Sequence, residues 1–531
     1  MKDTFILDQL PPRRLWPQMP YEGLRYPDKL NVAHQILDVW CRRPDRPAIF
    51  FRDLVWTYRD LAALSNQLCR VLVEEHGVRP GSRVLLRSFN HPWLIASLIA
   101  TWRAGAIAVP TMPVLRAQEL SRIVAKARVE VAISQFELAD DIEQVRASGS
   151  DLQTILYFGA DESGLEQAVR AKSPAPYLED TADADPALIA FTSGTTGMPK
   201  ATVHFQRDLL AVTDTFVREV LSPRESDVFC GTPQIGFLYG LCGFVLDPMR
   251  FGASVILDER MTPEALVDVI RQRRPSICFT TPSALPRMIR ALRPEERLSL
   301  RLVVVGGEPL PDVTYDAWMS FTGIPIINGL GVSELLHIFA ASRVGSYRHG
   351  FVGPAVSGYQ IKVADELGTP KPPNALGYLF VKGPTGCRYL DDLERQGAYV
   401  VDGWNRTGDL CRMDEDGYVA CAGRSDEMII TSGYNVSPFE VEAALLQHPR
   451  VKECAVIGMP DPERTSIVTA YVVLDRPDGS KLEDDIIAFA RASLSSFKCP
   501  RAVVIVDELP RTANGKIRRA SLRAIARSPG M

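Results

Sequence analysis

The stretch FTSGTTGMPK, residues 191–200, places glycines at 194 and 197, hydroxyls at 192, 193, 195 and 196, and an ammonium at 200. It has too little side-chain bulk to build core. Successive backbone N–H groups in a Gly-rich turn form an anion-binding concavity, and hydroxyls and Lys200 add donors and charge. A polyphosphate is the natural guest. A Walker loop needs GxxxxGK followed by Ser or Thr; here Gly194 leads five residues on to Pro199, and Lys200 to Ala201. Far downstream, TANGK (512–516) presents Lys516 in another small-residue loop, with Arg511, Arg518 and Arg519 close by.

Elements on either side must hold these groups. Ile189–Phe191 ends a strand, and His204–Glu219 reads as a helix. PAIFFRDLVWTY (47–58) reads as a hairpin around Arg52-Asp53, and Asn31 as the cap of a helix running to about Arg42. Arg83–Arg87 reads as a strand and Pro92–Ala104 as a helix. The runs VEVAISQ, TILYFG, LIAFTS, SVILD, SICFTTP and RLVVVGG are short and β-branched, with helical stretches between most of them. That alternation predicts α/β architecture with mainly parallel sheets. Residues 1–30 carry five prolines and no period, an arm packed on a surface.

After about residue 350 the strands become short and turn-rich, as in GYLFVKG and CRMDEDGYVACAG, whose Asp-Gly turn marks a hairpin. Near Asp426 the period switches again. Pro438–His448 and Asp484–Leu494 read as helices, VKECAVIGMP and TAYVVL as strands. The expected organisation is a large N-terminal domain, 1–425, of mainly parallel α/β sheets with a small β-rich part, and a small mobile α+β domain, 426–531.

The 531 residues exceed one ordinary core, and 46% hydrophobic with 23% charged content is that of a globular protein. A net charge of −4 gives no drive toward nucleic acid. The longest apolar stretch, Leu94–Trp102, is about half a membrane span, so no membrane partner is expected. The ten cysteines are scattered without metal spacing, which reads as reduced thiols in a cytoplasmic protein.

Six ordered motifs carry a resemblance. They are TSGTTGMPK (192–200), VVGGEPLP (304–311), NGLGVSE (328–334), WNRTGDL (404–410), GRSDEMI (423–429) and PRTANGK (510–516). Together they resemble the adenylate-forming superfamily of acyl-CoA synthetases, luciferases and adenylation domains, over nearly the whole chain. GLGVSELLHIF (329–339) and IGFLYGLCG (235–243) are most similar to the aryl-CoA ligases, the benzoate and 2-aminobenzoate (anthranilate) branch.

The resemblance implies a two-step reaction. A carboxylate attacks the α-phosphate of ATP and expels pyrophosphate; a thiol then attacks the acyl-AMP and expels AMP. Thr192, Ser193, Gly194, Thr195, Thr196, Gly197 and Lys200 would hold the β- and γ-phosphates. Glu334 would bind Mg²⁺, a hard cation that takes carboxylate oxygen. Gly307, Glu308 and Pro309 would flank adenine and Asn328 face its edge, with Gly329, Leu330, Gly331, Val332 and Ser333 continuing the nucleotide wall. Asp409 would accept the ribose hydroxyls, with Arg424 beside it. Lys516 would neutralise charge between carboxylate and α-phosphate. Asp426 would be the hinge, and Gly433 would line the thiol tunnel.

For the acid, Phe237, Leu238 and Tyr239 match the pocket wall of relatives. Gly306 and Gly331 would leave a flat slot, and His337, three residues beyond Glu334 on an expected helical run, would border it. No Asp stands in GFLYG to hold an α-ammonium, which argues against α-amino acids. The resemblance thus ranks 2-aminobenzoate first and benzoate second, with CoA as the acceptor. Two alternatives remain: a free-standing enzyme that loads an acyl-carrier protein, and a non-catalytic nucleotide-binding relative. Oligomeric state stays open, a homodimer among the options.

Overall fold

The computed structural model describes residues 2–21, 23–160, 164–192, 199–293, 296–425, 428–475, 482–510 and 517–525. The architecture is mixed α/β, with a large N-terminal body of two mainly parallel sheets, a smaller antiparallel sheet and a small α+β C-terminal body.

The first sheet has six strands in the spatial order 154–158, 131–135, 83–87, 107–111, 186–192 and 200–205. All neighbours are parallel except the last pair, a hairpin in which Thr192 stands opposite Lys200. The second has eight strands, in the order 338–341, 326–331, 302–305, 277–280, 228–231, 254–257, 47–51 and 54–57, with an antiparallel strand at each edge. Their centres are near-continuous β-branched runs because both faces are covered. Leu302–Val305 and Ile277–Thr280 are buried at every position.

The helix Pro92–Arg103 is apolar all round and buried at every residue described as its interior from Leu94 to Arg103. A helix of that composition belongs in a core. Its one charge, Arg103, is buried and donates to Asp38 Oδ2 at 3.1 Å and to the hydroxyl of Ser65 at 3.1 Å. Truncating Leu98 there would cost about 2–5 kcal/mol in lost burial and cavity.

Four expectations change. The segment after the phosphate loop is a strand, Lys200–Phe205, before helix begins at Gln206, because KATVHF alternates and pairs with Pro186–Thr192. Asn31 does cap a helix, accepting from Ala33 N, yet the α-helix ends at Ile36. Ser333 opens only a short turn to Leu335; Leu336 has φ 74°, and Ile338–Ala341 is a strand paired with Ile326–Gly331. The β-forming run HIFAA takes a sheet edge over a helix. Glu334 and His337 therefore do not share a helical face. The small-body elements are the hairpin 429–431/434–436, the helices Pro438–Leu445 and Glu483–Ser493, and a three-stranded sheet of 451–461, 465–474 and 502–505.

Candidate active site

The C-terminal ends of the strands of the eight-stranded sheet, the phosphate-loop hairpin and the antiparallel sheet converge on a cavity of about 250 Å³. From the hairpin come Thr192 and Lys200. Their cross-strand pairing sets the two residues side by side at the cavity. Ser193, Gly194, Thr195, Thr196 and Gly197 lie outside the described residues, as do Asp426 and Lys516.

The strand Leu302–Val305 ends in Gly306, Gly307, Glu308 and Pro309, which form a second wall. Gly307 has φ +86°, and a Cβ there would stand 3.2 Å from Gly433 O across the interface with the small body. The carboxylate of Glu308 turns toward the small body. It accepts from Ser283 N at 2.7 Å and Thr465 Oγ1 at 3.1 Å. Burial pushes this carboxyl up, against those hydrogen bonds. The expected flank for a flat base is thus backbone at this position, with the side chain serving the domain contact.

Asn328 through Glu334 supply a third wall. Gly331 is required by crowding, since an added Cβ would lie 2.6 Å from the backbone oxygen of His337; at Gly329 one would meet the Ile338 side chain at 2.4 Å and displace it. Glu334 is buried and accepts from Tyr389 at 2.5 Å through Oε1. The carboxylate lines the cavity, and its oxygens are of the kind that would hold a hard cation. Beneath it, His204 Nε2 donates to Ser333 O at 3.0 Å, because a carbonyl can only accept. Burial and then the nearby Arg388 charge lower the His204 pKa to about 3, so the ring is neutral and fixes the turn that carries Glu334.

Asp409 and Arg424 face each other across the antiparallel strands 404–413 and 419–424. Arg424 Nη1 donates to Asp409 Oδ1 at 3.2 Å. Both border the cavity, where an acceptor carboxylate and a cation suit a sugar hydroxyl and its phosphate.

At the opposite end stand Phe237, Leu238, Tyr239 and His337. The Tyr239 hydroxyl donates to Val304 O (3.0 Å) and Thr280 O (3.2 Å), which pins its ring 3.6 Å from where a Cβ on Gly306 would sit. His337 Nε2 meets Asp247 Oδ2 at 3.1 Å, with both side chains wholly buried, and Phe216 packs edge-on at 5.0 Å. Burial raises the Asp247 carboxyl, and His337 opposes the rise.

A second cavity of about 200 Å³ adjoins at Phe237, Tyr239, Gly306, Gly307 and Gly433, and opens past Arg287 and Arg464. Gly433 has φ +82°, and a Cβ would meet Thr281 Cγ2 at 3.1 Å. The hairpin tip therefore inserts where only backbone fits.

A family model described as AMP-binding enzyme matches residues 37–388, and one described as AMP-binding enzyme C-terminal domain matches 440–516. The chain belongs to the AMP-binding enzyme family. A benzoate–CoA ligase of Thauera aromatica is 31% identical over 513 residues, covering 94% of this chain and 97% of the relative. The mitochondrial acyl-coenzyme A synthetase ACSM5 of Mus musculus is 32% identical, covering 94% and 91%. Among solved structures, the anthranilate CoA ligase AuaEII in complex with anthranoyl-AMP is similar with TM-score 0.74 and 31% identity, covering 96% and 99%.

In this AMP-binding enzyme several site-shaping residues carried no motif signal. Asp247, His204 and Tyr389 act through neighbours that sequence reading did single out. Lys498 joins the bodies: its Nζ donates to Glu119 Oε1 of the large body at 2.6 Å and Glu440 Oε1 at 2.7 Å. SFKCP offers no hint of this, since a lone lysine usually marks solvent. Among the described residues, no helix is long and apolar enough to cross a membrane.

Proposed function

We propose that the chain is an ATP-dependent aryl acid–CoA ligase, with 2-aminobenzoate as its first substrate and benzoate its second. An acid–thiol ligase of this family activates a carboxylate as its acyl-AMP, then passes it to a thiol. Oxide is a poor leaving group and AMP a far better one, so the first half is positioning and charge neutralisation.

The observation that carries the aryl reading is the fixed end wall. Tyr239 is tied by its hydroxyl to two carbonyls and His337 is tied to Asp247, so neither swings aside for a long acyl chain. Gly306, Gly329 and Gly331 leave a slot without side chains of their own, bordered by the Tyr239 ring, the Ile338 side chain and backbone, which suits a planar ring. The His337–Asp247 pair is wholly buried behind this wall, so it holds the wall in place, and the order of the two acids rests on the resemblance. The similarity to an anthranilate CoA ligase supports the same order.

Thr192 and Lys200, with the loop between them, hold the β- and γ-phosphates; Glu334 holds Mg²⁺, which would supply charge neutralisation at phosphate oxygen. Asp409 accepts from the ribose, with Arg424 orienting it, and the backbone at Gly307 and Pro309 covers adenine. Lys516 closes the charge balance between carboxylate and α-phosphate. With Gly433 against Gly307, the small body presents its hairpin to the site, which supports a hinge at Asp426 and a thiol route through the second cavity. A panel of aryl, fatty and amino acids, scored for pyrophosphate release with and without CoA, tests the proposal. It predicts a maximum on 2-aminobenzoate and thioester only with CoA. A maximum on a fatty acid refutes the aryl reading.

A further inference from the structure

Cys411 and Cys421 stand directly opposite one another on the antiparallel strands 404–413 and 419–424. Their sulfurs are 3.1 Å apart. That is about 1 Å more than a disulfide bond of roughly 2.05 Å, and directly paired strand positions fall inside the Cα separation a disulfide spans. The hairpin between them is held by its own turn: Asp414 Oδ1 accepts from Asp416 N at 3.0 Å and Tyr418 N at 2.8 Å. The two thiols are thus kept in register without any chain movement.

The pair is asymmetric. Cys411 is wholly buried, whereas Cys421 is half-buried and lines the central cavity. The neighbouring thiol and then burial raise the Cys411 pKa, which leaves Cys421 as the sulfur that meets an oxidant first. The chain contains its own contrast. Cys230 and Cys278 are also register partners, on parallel strands, but both are wholly buried in the core and border no cavity described above. Proximity alone is present twice; proximity with access is present at Cys411–Cys421.

We propose that Cys411 and Cys421 form a reversible disulfide on exposure to a peroxide, an oxidative modification site at the edge of the nucleotide cavity. The Cys421 thiol releases its proton and the thiolate attacks one peroxide oxygen; the O–O bond breaks and hydroxide departs, taking up that proton as water and leaving a sulfenic acid. The Cys411 thiol gives up its proton and attacks the Cys421 sulfur, the S–O bond breaks and a second water departs. Two thiols and one hydrogen peroxide become one disulfide and two waters, with two electrons passing from sulfur to oxygen. Disulfides in reducing compartments are characteristically transient and redox-sensing.

The ladder step beside the thiols carries Asp409 opposite Arg424, with a register shift between Leu410 and Cys411. Drawing the sulfurs together pins that irregular step and shifts the Asp409–Arg424 pair. The oxidised enzyme therefore binds ATP more weakly. This consequence rests on the nucleotide reading of the cavity; the crosslink does not.

The test treats the full-length reduced enzyme with graded hydrogen peroxide and digests it without reductant. Expected is a Cys411–Cys421 crosslinked peptide about 2 Da lighter than the reduced pair, with eight of the ten cysteines still titratable. Pyrophosphate release falls severalfold and returns with dithiothreitol. Cys411→Ala stays active, forms no crosslink and escapes the reversible loss. Crosslinking at equal rates with and without AMP upholds the pair and refutes the nucleotide reading. Slower crosslinking with AMP upholds both. Oxidation of Cys421 to sulfinic acid with no crosslinked peptide overturns the proposal, as does the same reversible inactivation in Cys411→Ala.

Discussion

Glu119→Gln separates the two half-reactions by acting on the contact between the bodies. Glu119 lies in the first turn of the large-body helix Ala117–Ala127, where its Oε2 accepts from Arg116 N at 2.9 Å. Its carboxylate also accepts from Ser495 N (3.1 Å), Ser495 Oγ (2.9 Å) and Lys498 Nζ (2.6 Å) of the small body. Glu119 and Lys498 are 6% and 5% exposed, so water does little to screen the pair. Burial pulls the Lys498 pKa down, and Glu119 and Glu440 more than offset it, so the ammonium stays charged. Glutamine keeps the volume, and it can still cap the helix, because Glu and Gln both serve at that position. With its one oxygen kept on the cap, its NH2 replaces Oε1 and cannot accept from Lys498, so the charged hydrogen bond that crosses from Lys498 is lost, while Lys498 stays paired with Glu440 at 2.7 Å. A hydrogen bond to a charged group contributes about 1.5–3 kcal/mol. Taking about 2 kcal/mol, the docked pose loses roughly 30-fold in population relative to other poses. Rapid-quench assays of thioester formation from preformed acyl-AMP should show a drop of about 10- to 30-fold. The burst of pyrophosphate from acid and ATP should stay within about twofold, and melting temperature should hold. Equal loss in both steps, or none in either, refutes the assignment of this contact to the thiol-transfer pose.

Lys516→Ala should slow acyl-AMP formation by about 10²–10³-fold, as for loss of a preorganised charge at developing anion, while thioester formation from supplied acyl-AMP persists; quench-flow measures both. Gly433→Ala, which forces a side chain into φ +82° and to 3.1 Å from Thr281 Cγ2, should impair CoA turnover more than pyrophosphate release, read as a raised KM for CoA. Asp247→Asn should lower kcat/KM for 2-aminobenzoate and benzoate by a similar factor of about 10, because His337 loses the partner that holds it in the wall; unchanged kinetics on both acids would show that the pair does not support the wall. His204 is neutral when folded, with its pKa lowered from 6.5 to about 3. The unfolded chain takes up that proton first, so its contribution to stability is whole above pH 6.5 and drains away as pH falls toward 3. Thermal melts of His204→Gln should show a shallower loss over that window than the parent.

The nucleotide side of this protein is legible in sequence because its chemistry is done by backbone. Glycines at 306, 307, 329 and 331 stand where any Cβ would meet a neighbour, and such positions leave a mark in one chain. Strands were readable where burial on both faces produced short apolar runs, as at VLL within Arg83–Arg87, read and found with the same bounds. Short-range pattern failed where a distant partner decided the outcome. LLHIFAA passes as a helix until it can pair with Ile326–Gly331, and His204-Phe205 pass as the start of one until Pro186–Thr192 is beside them.

Sequence by itself singled out TSGTTGMPK, Asp409 with Arg424, and Lys516, since residue type and spacing along one strand or loop are local properties. Tertiary structure alone decided that Asp247 holds His337 across 90 positions, that Lys498 reaches Glu119 across 379, and that two cysteines ten residues apart lie sulfur to sulfur. Those contacts depend on which surfaces the core brings together. Burial then sets their strength, by removing the water that would otherwise dissolve each pair.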